Sequence, residues 1–311
     1  MRPALSVVFF TVSAGAGLGL AVWLVLARAL GAAGDDATFW RTAACAFVLV
    51  SAGFASSTLH LANRRNAWRA LACWRTSWLS REGVAAIGFY AASGAYLAAA
   101  ALRADAALAL AGALVVAFAA GTFVSTAMIY ACLKTIPQWR TWHTRVAFPL
   151  LGLAAGLVAW IAVRGPAAPQ GLAAGSGVDL WRELAVALLA AGGALKLAYW
   201  AKFPGPDAAP SPNDALGLRD GTIRLLDAGH SHGTFLTDEF CFRVARERAR
   251  TLRAAALVAG FVAPMALLEL ATGAWSGAAA AVLCVAGLFV ERWLFFAEAR
   301  HVVRLYHGIR D

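Results

Sequence analysis

Eight apolar stretches dominate this chain, each near the roughly 20 residues that a helix needs to cross a hydrocarbon layer. They run over residues 3–27, 42–63, 83–102, 106–133, 146–163, 181–201, 254–270 and 275–297. The sixth is interrupted by Lys196, Glu269 closes the seventh, and Glu291 and Arg292 sit inside the eighth. Of the 311 residues, 61% are hydrophobic and 14% charged, far from the balance of a soluble domain. A chain of ordinary length cannot hide that surplus in one core, so a soluble enzyme and a disordered chain are both excluded. The expected fold is all-α: a polytopic membrane protein, a bundle of eight transmembrane helices forming one integral domain over residues 1–311. The first stretch is too long for a typical signal-peptide core and is expected to be retained as a span.

Arginine and lysine then set the orientation, because loops facing the cytoplasm carry the excess of both. The face bearing the N-terminus, the even-to-odd loops and the C-terminus holds 20 of the 27 basic residues. The opposite face holds 5, and Lys196 and Arg292 lie within spans. Both termini are therefore expected to be cytoplasmic. The formal charge of +10 follows from these loops and from anionic lipid, and no aromatic-basic groove for nucleic acid is visible. One long loop, residues 203–250, joins the sixth and seventh stretches. It opens with the proline-rich FPGPDAAPSPND and ends in the basic DEFCFRVARERARTLR, read as a helix running into the seventh span. An interfacial helix on anionic lipid and a docking surface for a soluble partner are the two readings of that segment.

Cofactor ligands are scarce. The five cysteines, Cys45, Cys73, Cys132, Cys241 and Cys284, form no C-x-x-C pair, which argues against an iron–sulfur cluster or structural zinc in this chain. The six histidines, His60, His143, His230, His232, His301 and His307, lie in loops or near span ends, so no facing pair for a membrane haem can be drawn. His230 and His232 supply only two donors in a glycine-flanked loop, short of a metal site. No metal ligand set is expected.

The densest polar constellation is the loop SSTLHLANRRNAWRALACWRTSWLSREG, residues 56–83. His60 closes the second span and Glu82 opens the third. Between them lie a run of arginines and Trp68, Trp74 and Trp78, whose indoles suit the headgroup layer. An imidazole at the membrane edge can donate to a quinone carbonyl or relay a proton. Lys196, Glu269, Glu291, Arg292 and Glu298 must pair between helices or line a proton path, because a lone charge in lipid is costly. For Lys196 the sequence leaves both roles open.

The stretches STLHL and WLSRE, the arginine-rich loop between them, FRVARERARTLR and ERWLFFAEARHVV together resemble the membrane anchor subunit of the dimethyl sulfoxide reductase family. The resemblance covers nearly the whole chain and implies eight spans. It implies a quinone-reactive subunit of a three-subunit oxidoreductase, with no substrate chemistry of its own. Its partners would be an iron–sulfur subunit and a molybdopterin catalytic subunit in the bacterial inner membrane. The family's quinol-site histidine and glutamate fall on His60 and Glu82; Arg65, Arg81 and Trp68 join them as neighbours in the same loop. Ubiquinone or menaquinone would be the exchangeable substrate. With its basic face read as cytoplasmic, the chain is similar to the longer anchors of the cytoplasm-facing sulfite dehydrogenase type, which reduce quinone; the exported dimethyl sulfoxide reductase type oxidises quinol. A small-molecule transporter and a passive anchor are the competing classes. Neither the inverted repeats nor the broken midplane helices of a transporter are clear in the sequence.

Overall fold

The computed structural model describes residues 3–59, 64–165, 179–203, 213, 216–218, 221, 223, 248–271, 273 and 275–302. Among them it is all-helical, with eight helices long and apolar enough to span a membrane. These are α1 (Leu5–Ala29), α2 (Asp36–Thr58), α3 (Trp78–Ala101), α4 (Asp105–Ala131), α5 (Trp142–Arg164), α6 (Leu180–Lys202), α7 (Ala249–Leu270) and α8 (Ser276–Ala297). A 3₁₀ segment, Arg64–Cys73, lies between α2 and α3. Most of the 203–250 loop, its basic part and Cys241 included, falls outside the described residues.

Side-chain caps start three spans earlier than hydropathy alone suggests. Asp35, Ser77 and Thr141 accept hydrogen bonds from the backbone N–H groups of Thr38, Ser80 and Thr144, satisfying donors that a helix start leaves open. Those caps place Arg41, Arg81 and Arg145 inside the first two turns of α2, α3 and α5, where a long side chain keeps its charge at the interface. The bonds from Thr38 also hold the Asp35 carboxyl below its ordinary range.

α1 and α5 form the centre. α1 packs on α2, α4, α5 and α8; α5 also packs on α6; α3 lies outside against α4, and α7 against α8. Helices in lipid gain nothing from hiding apolar surface from apolar solvent, so they associate through close packing and hydrogen bonds. Gly15 and Gly19 on α1 face Gly152 and Gly156 on α5 at the four-residue spacing that lets two backbones touch. A Cβ on Gly156 would stand 2.3 Å from the Gly19 carbonyl carbon. Trp23 adds a bond from its indole N–H to the Leu153 carbonyl at 2.8 Å. Gly260 and Gly287 make the matching contact between α7 and α8, where a Cβ on Gly287 would meet the Gly260 nitrogen at 2.0 Å. A π-turn at Val258–Val262, just before Pro264, accommodates the missing proline N–H and sets Gly260 against α8. The outer surface is apolar as lipid requires: Val48, Ile87, Leu110, Leu197, Val258 and Val282 are all exposed.

Gly156→Ala should therefore lower stability by about 1–3 kcal/mol through overpacking. Gly94→Ala, where an added Cβ meets nothing within 4 Å, should be neutral. Thermal melting of the two variants in one detergent checks the contrast, and equal behaviour would rule out the α1–α5 contact as drawn.

Candidate functional site

The alternating helices bring one set of ends together on the face that carries the N-terminus. Ser56 near the end of α2 bonds the Ser6 carbonyl at the start of α1 at 3.0 Å. The Trp139 indole, between α4 and α5, donates to the Phe295 carbonyl near the end of α8 at 3.0 Å. Val302, beyond α8, donates to the Thr135 carbonyl at 3.0 Å. Two buried polar groups sit in this half of the bundle, one near α3 and one near α8.

The first centres on Glu82. The Ser77 cap starts α3 early enough that Glu82 lies one turn inside the helix, where it is 3% exposed. Its carboxyl meets the Thr126 hydroxyl of α4, which also bonds the Thr122 carbonyl at 2.9 Å. Among the described residues no cation pairs with Glu82. The hydroxyl has one proton, and a carbonyl only accepts. An ionised Glu82 can accept from Thr126. A protonated Glu82 can donate to Thr126 while Thr126 donates to Thr122. The contact thus serves both protonation states, which is what a proton-exchanging carboxyl needs.

The other residues expected at this site divide. Arg81 is engaged in structure: its guanidinium donates to the Trp74 carbonyl at 2.9 Å and the Arg75 carbonyl at 2.6 Å, and lies 4.2 Å from the Trp78 ring. It fastens the loop to the start of α3. Arg65 and Trp68 sit exposed on the 3₁₀ segment, and neither bonds Glu82. The Arg69 guanidinium lies over Trp68 at 5.5 Å, an arrangement suited to the headgroup layer. His60 lies outside the described residues. Sequence reasoning missed Thr126, because a threonine in a long apolar run gives no sign of which helix it faces.

An aromatic wall flanks Glu82. Tyr130, one turn beyond Thr126, stacks on Phe148 of α5 at 5.4 Å and meets Trp139, Phe295 and Phe296 at their edges. Beyond the wall is the second group. Lys196 of α6 pairs with Glu291 of α8 at 2.6 Å, and Arg292 reaches the other Glu291 oxygen at 3.4 Å. Lys196 is 3% exposed, Glu291 0% and Arg292 4%. The Arg292 guanidinium also lies 4.0 Å from the Phe148 ring. Glu298, just past α8, pairs with Arg253 of α7 at 2.9 Å. The intramembrane charges are thus bridged between helices, and Lys196 has its partner; Glu269, by contrast, is exposed near the far end of α7. Among the described residues no group of three or more His, Cys, Asp or Glu side chains could hold a metal ion.

The pairing has an asymmetric consequence. Removing Glu291 takes the counter-charge from both Lys196 and Arg292, whereas removing Lys196 leaves a neutral Arg292–Glu291 pair. Glu291→Leu should cost about 3–5 kcal/mol. Lys196→Met should cost clearly less. Melting of the two variants checks the order, and equal losses would contradict it.

Comparison with known proteins agrees with this architecture. The family model for the DMSO reductase anchor subunit (DmsC) matches residues 1–297. A sulfite dehydrogenase subunit of Allochromatium vinosum is 34% identical over 99% of this chain and 99% of its own length. No solved structure matches. With eight spans, a match over nearly all of its length and a full-length relative, this chain belongs to the DMSO reductase anchor family and is the membrane anchor subunit of a molybdopterin oxidoreductase.

Proposed function

We propose that this anchor exchanges electrons between a quinone, ubiquinone or menaquinone, and an iron–sulfur cluster of a partner subunit. The quinone head would sit between the N-terminal-face ends of α2 and α3. The observation that carries this reading is Glu82: a carboxyl buried at the start of a span, bonded by a hydroxyl that serves both of its protonation states and paired with no described cation. Quinone chemistry moves two electrons with two protons, so the site needs groups that give and take protons beside the ring. Glu82 fills one such role, and His60 fills the second on the strength of the family resemblance. Arg81 positions the loop. Arg65 and Trp68 line the entry at the headgroup level.

The partners in this reading are an iron–sulfur subunit and a molybdopterin catalytic subunit, docked on the N-terminal face. The excess of arginine there supports a cytoplasmic setting for that face, with the chain in a bacterial inner membrane. The relative named as part of a sulfite dehydrogenase favours sulfite oxidation with quinone reduction over the reverse flow. Direction itself follows the potentials of the two couples. The chain carries no haem or cluster in this reading, so the quinone must come within electron-transfer distance of the partner's cluster.

In the assembled complex, Glu82→Gln and His60→Ala should each lower quinone-linked turnover by about 100-fold or more. Turnover with an artificial dye at the soluble subunits should remain. Normal quinone turnover in both variants would overturn the assignment. Orientation is checked by thiol labelling. Cys73 and Cys132 are exposed at the N-terminal face. In single-cysteine versions free of partner subunits, an impermeant reagent should label them in inverted vesicles and miss them in intact cells. Labelling from outside the cell would reverse the topology and favour the exported type.

A further inference from the structure

Lys196, Glu291 and Arg292 together carry one positive charge more than they neutralise. The neighbouring Arg253–Glu298 pair is balanced and leaves the surplus in place. A surplus charge in lipid is relieved by shedding a proton if a group can do so. Arginine does not deprotonate in proteins, and Glu291 is held between two cations. The group free to change is Lys196.

The geometry also supplies a route. A cavity of about 10 Å³, enough for one water, borders Lys196 and is lined by His143, Thr144, Tyr199 and Phe295 among others. His143 is the second residue of α5, at the N-terminal-face end of the bundle, and is 6% exposed. Its Nδ1 is buried with no hydrogen-bond partner among the described residues, and so is Nη1 of Arg292. Water needs two or more polar partners in such a place, and three residues that line the cavity, Lys196, Thr144 and His143, carry polar groups. Among the described residues, Lys196 faces His143 of α5 across the cavity, Tyr199 and Trp200 of its own helix, and Glu291, Arg292 and Glu298 on or beside α8; Lys202 bears on His143, and Arg253 of α7 lies over Trp200 and pairs with Glu298.

We propose that Lys196 is a proton-loading site, exchanging its proton with the solution at the N-terminal face through a water in the His143 cavity. In the unloading step the ammonium gives a proton to the water. The water passes one to His143 Nδ1, and His143 releases another from Nε2 to the solution. Lys196 is left as a neutral amine beside a balanced Arg292–Glu291 pair. Loading runs in reverse, and no electrons move within the site. One consequence rests on the quinone reading above: a proton loaded here offsets negative charge that develops across the Tyr130–Phe148 wall.

The test uses the full chain in lipid nanodiscs with no quinone added, so it fails or succeeds apart from the quinone assignment. If folded Lys196 sheds its proton while the unfolded chain still holds it, the unfolded state binds more protons and stability rises with pH. The window lies below the ordinary lysine value of about 10.4. The wild-type melting temperature should climb by several degrees across it. Lys196→Arg, which keeps the charge, and Lys196→Met, which removes it, should both lose that slope. An ion pair with a purely structural role predicts one shared slope for all three, and that result overturns the proposal; Lys196→Met still decides it if Lys196→Arg does not fold. His143→Phe keeps a ring stacked on Trp142 but removes both nitrogens. It should keep the melting slope and slow proton exchange after a pH jump by about tenfold or more. An unchanged rate overturns the route through the cavity.

Discussion

The backbone contact between α1 and α5 is the constraint on which the rest of the bundle depends. With Gly19 and Gly156 lacking side chains, two helices approach until their main chains touch, and dispersion replaces the hydrophobic effect that lipid does not supply. α2, α4, α6 and α8 then pack around this pair, and α3 and α7 close the outside. The Ser13 hydroxyl reaches the Leu49 carbonyl across α1 and α2 at 2.8 Å. The Ser51 and Tyr90 hydroxyls join α2 to α3 at 2.9 Å. Each of these small polar residues in an apolar run finds a neighbouring helix, because an unbonded hydroxyl in hydrocarbon has no water to turn to.

The two membrane faces are chemically unequal. On the far side the described residues hold one ion pair, Arg164 with Asp179, at the entry to α6. The N-terminal half carries both buried polar groups, the aromatic wall and the docked loop between α4 and α5. The proposed exchange between quinone and a soluble partner would place its proton chemistry near that partner's face, and this asymmetry accords with it.

Tyr130 and Phe148 keep the Glu82 group and the Lys196 group apart. Their stacked rings exclude a direct ion pair, so Glu82 has the Thr126 hydroxyl, while Glu291 holds two cations. Two glutamates of one chain, both nearly fully buried, therefore occupy opposite settings: one meets a hydroxyl and no described cation, the other two cations. What separates them is a wall of rings and the side from which each neighbouring helix arrives.

Much of this was legible in the residues themselves. Hydropathy determined eight spans, arginine placement singled out the richer face, and the dense polar run over residues 56–83 marked the loop whose 3₁₀ segment packs on α3. Those features are local, or sum along the chain, so they survive being read in one dimension. Even the intramembrane charges announced that partners must exist, since an unpaired charge in lipid is too costly to leave. Which partner each takes is a matter of helix rotation and neighbourhood. Lys196 and Glu291 stand 95 positions apart, Glu82 and Thr126 44, and nothing local in the sequence says that these side chains face one another. The sequence by itself determined that this chain crosses a membrane eight times and gathers most of its arginine and lysine on one face. Only tertiary packing decided that Glu82 meets a hydroxyl and Glu291 a pair of cations, because in lipid a buried charge is defined by what the adjacent helix presents to it.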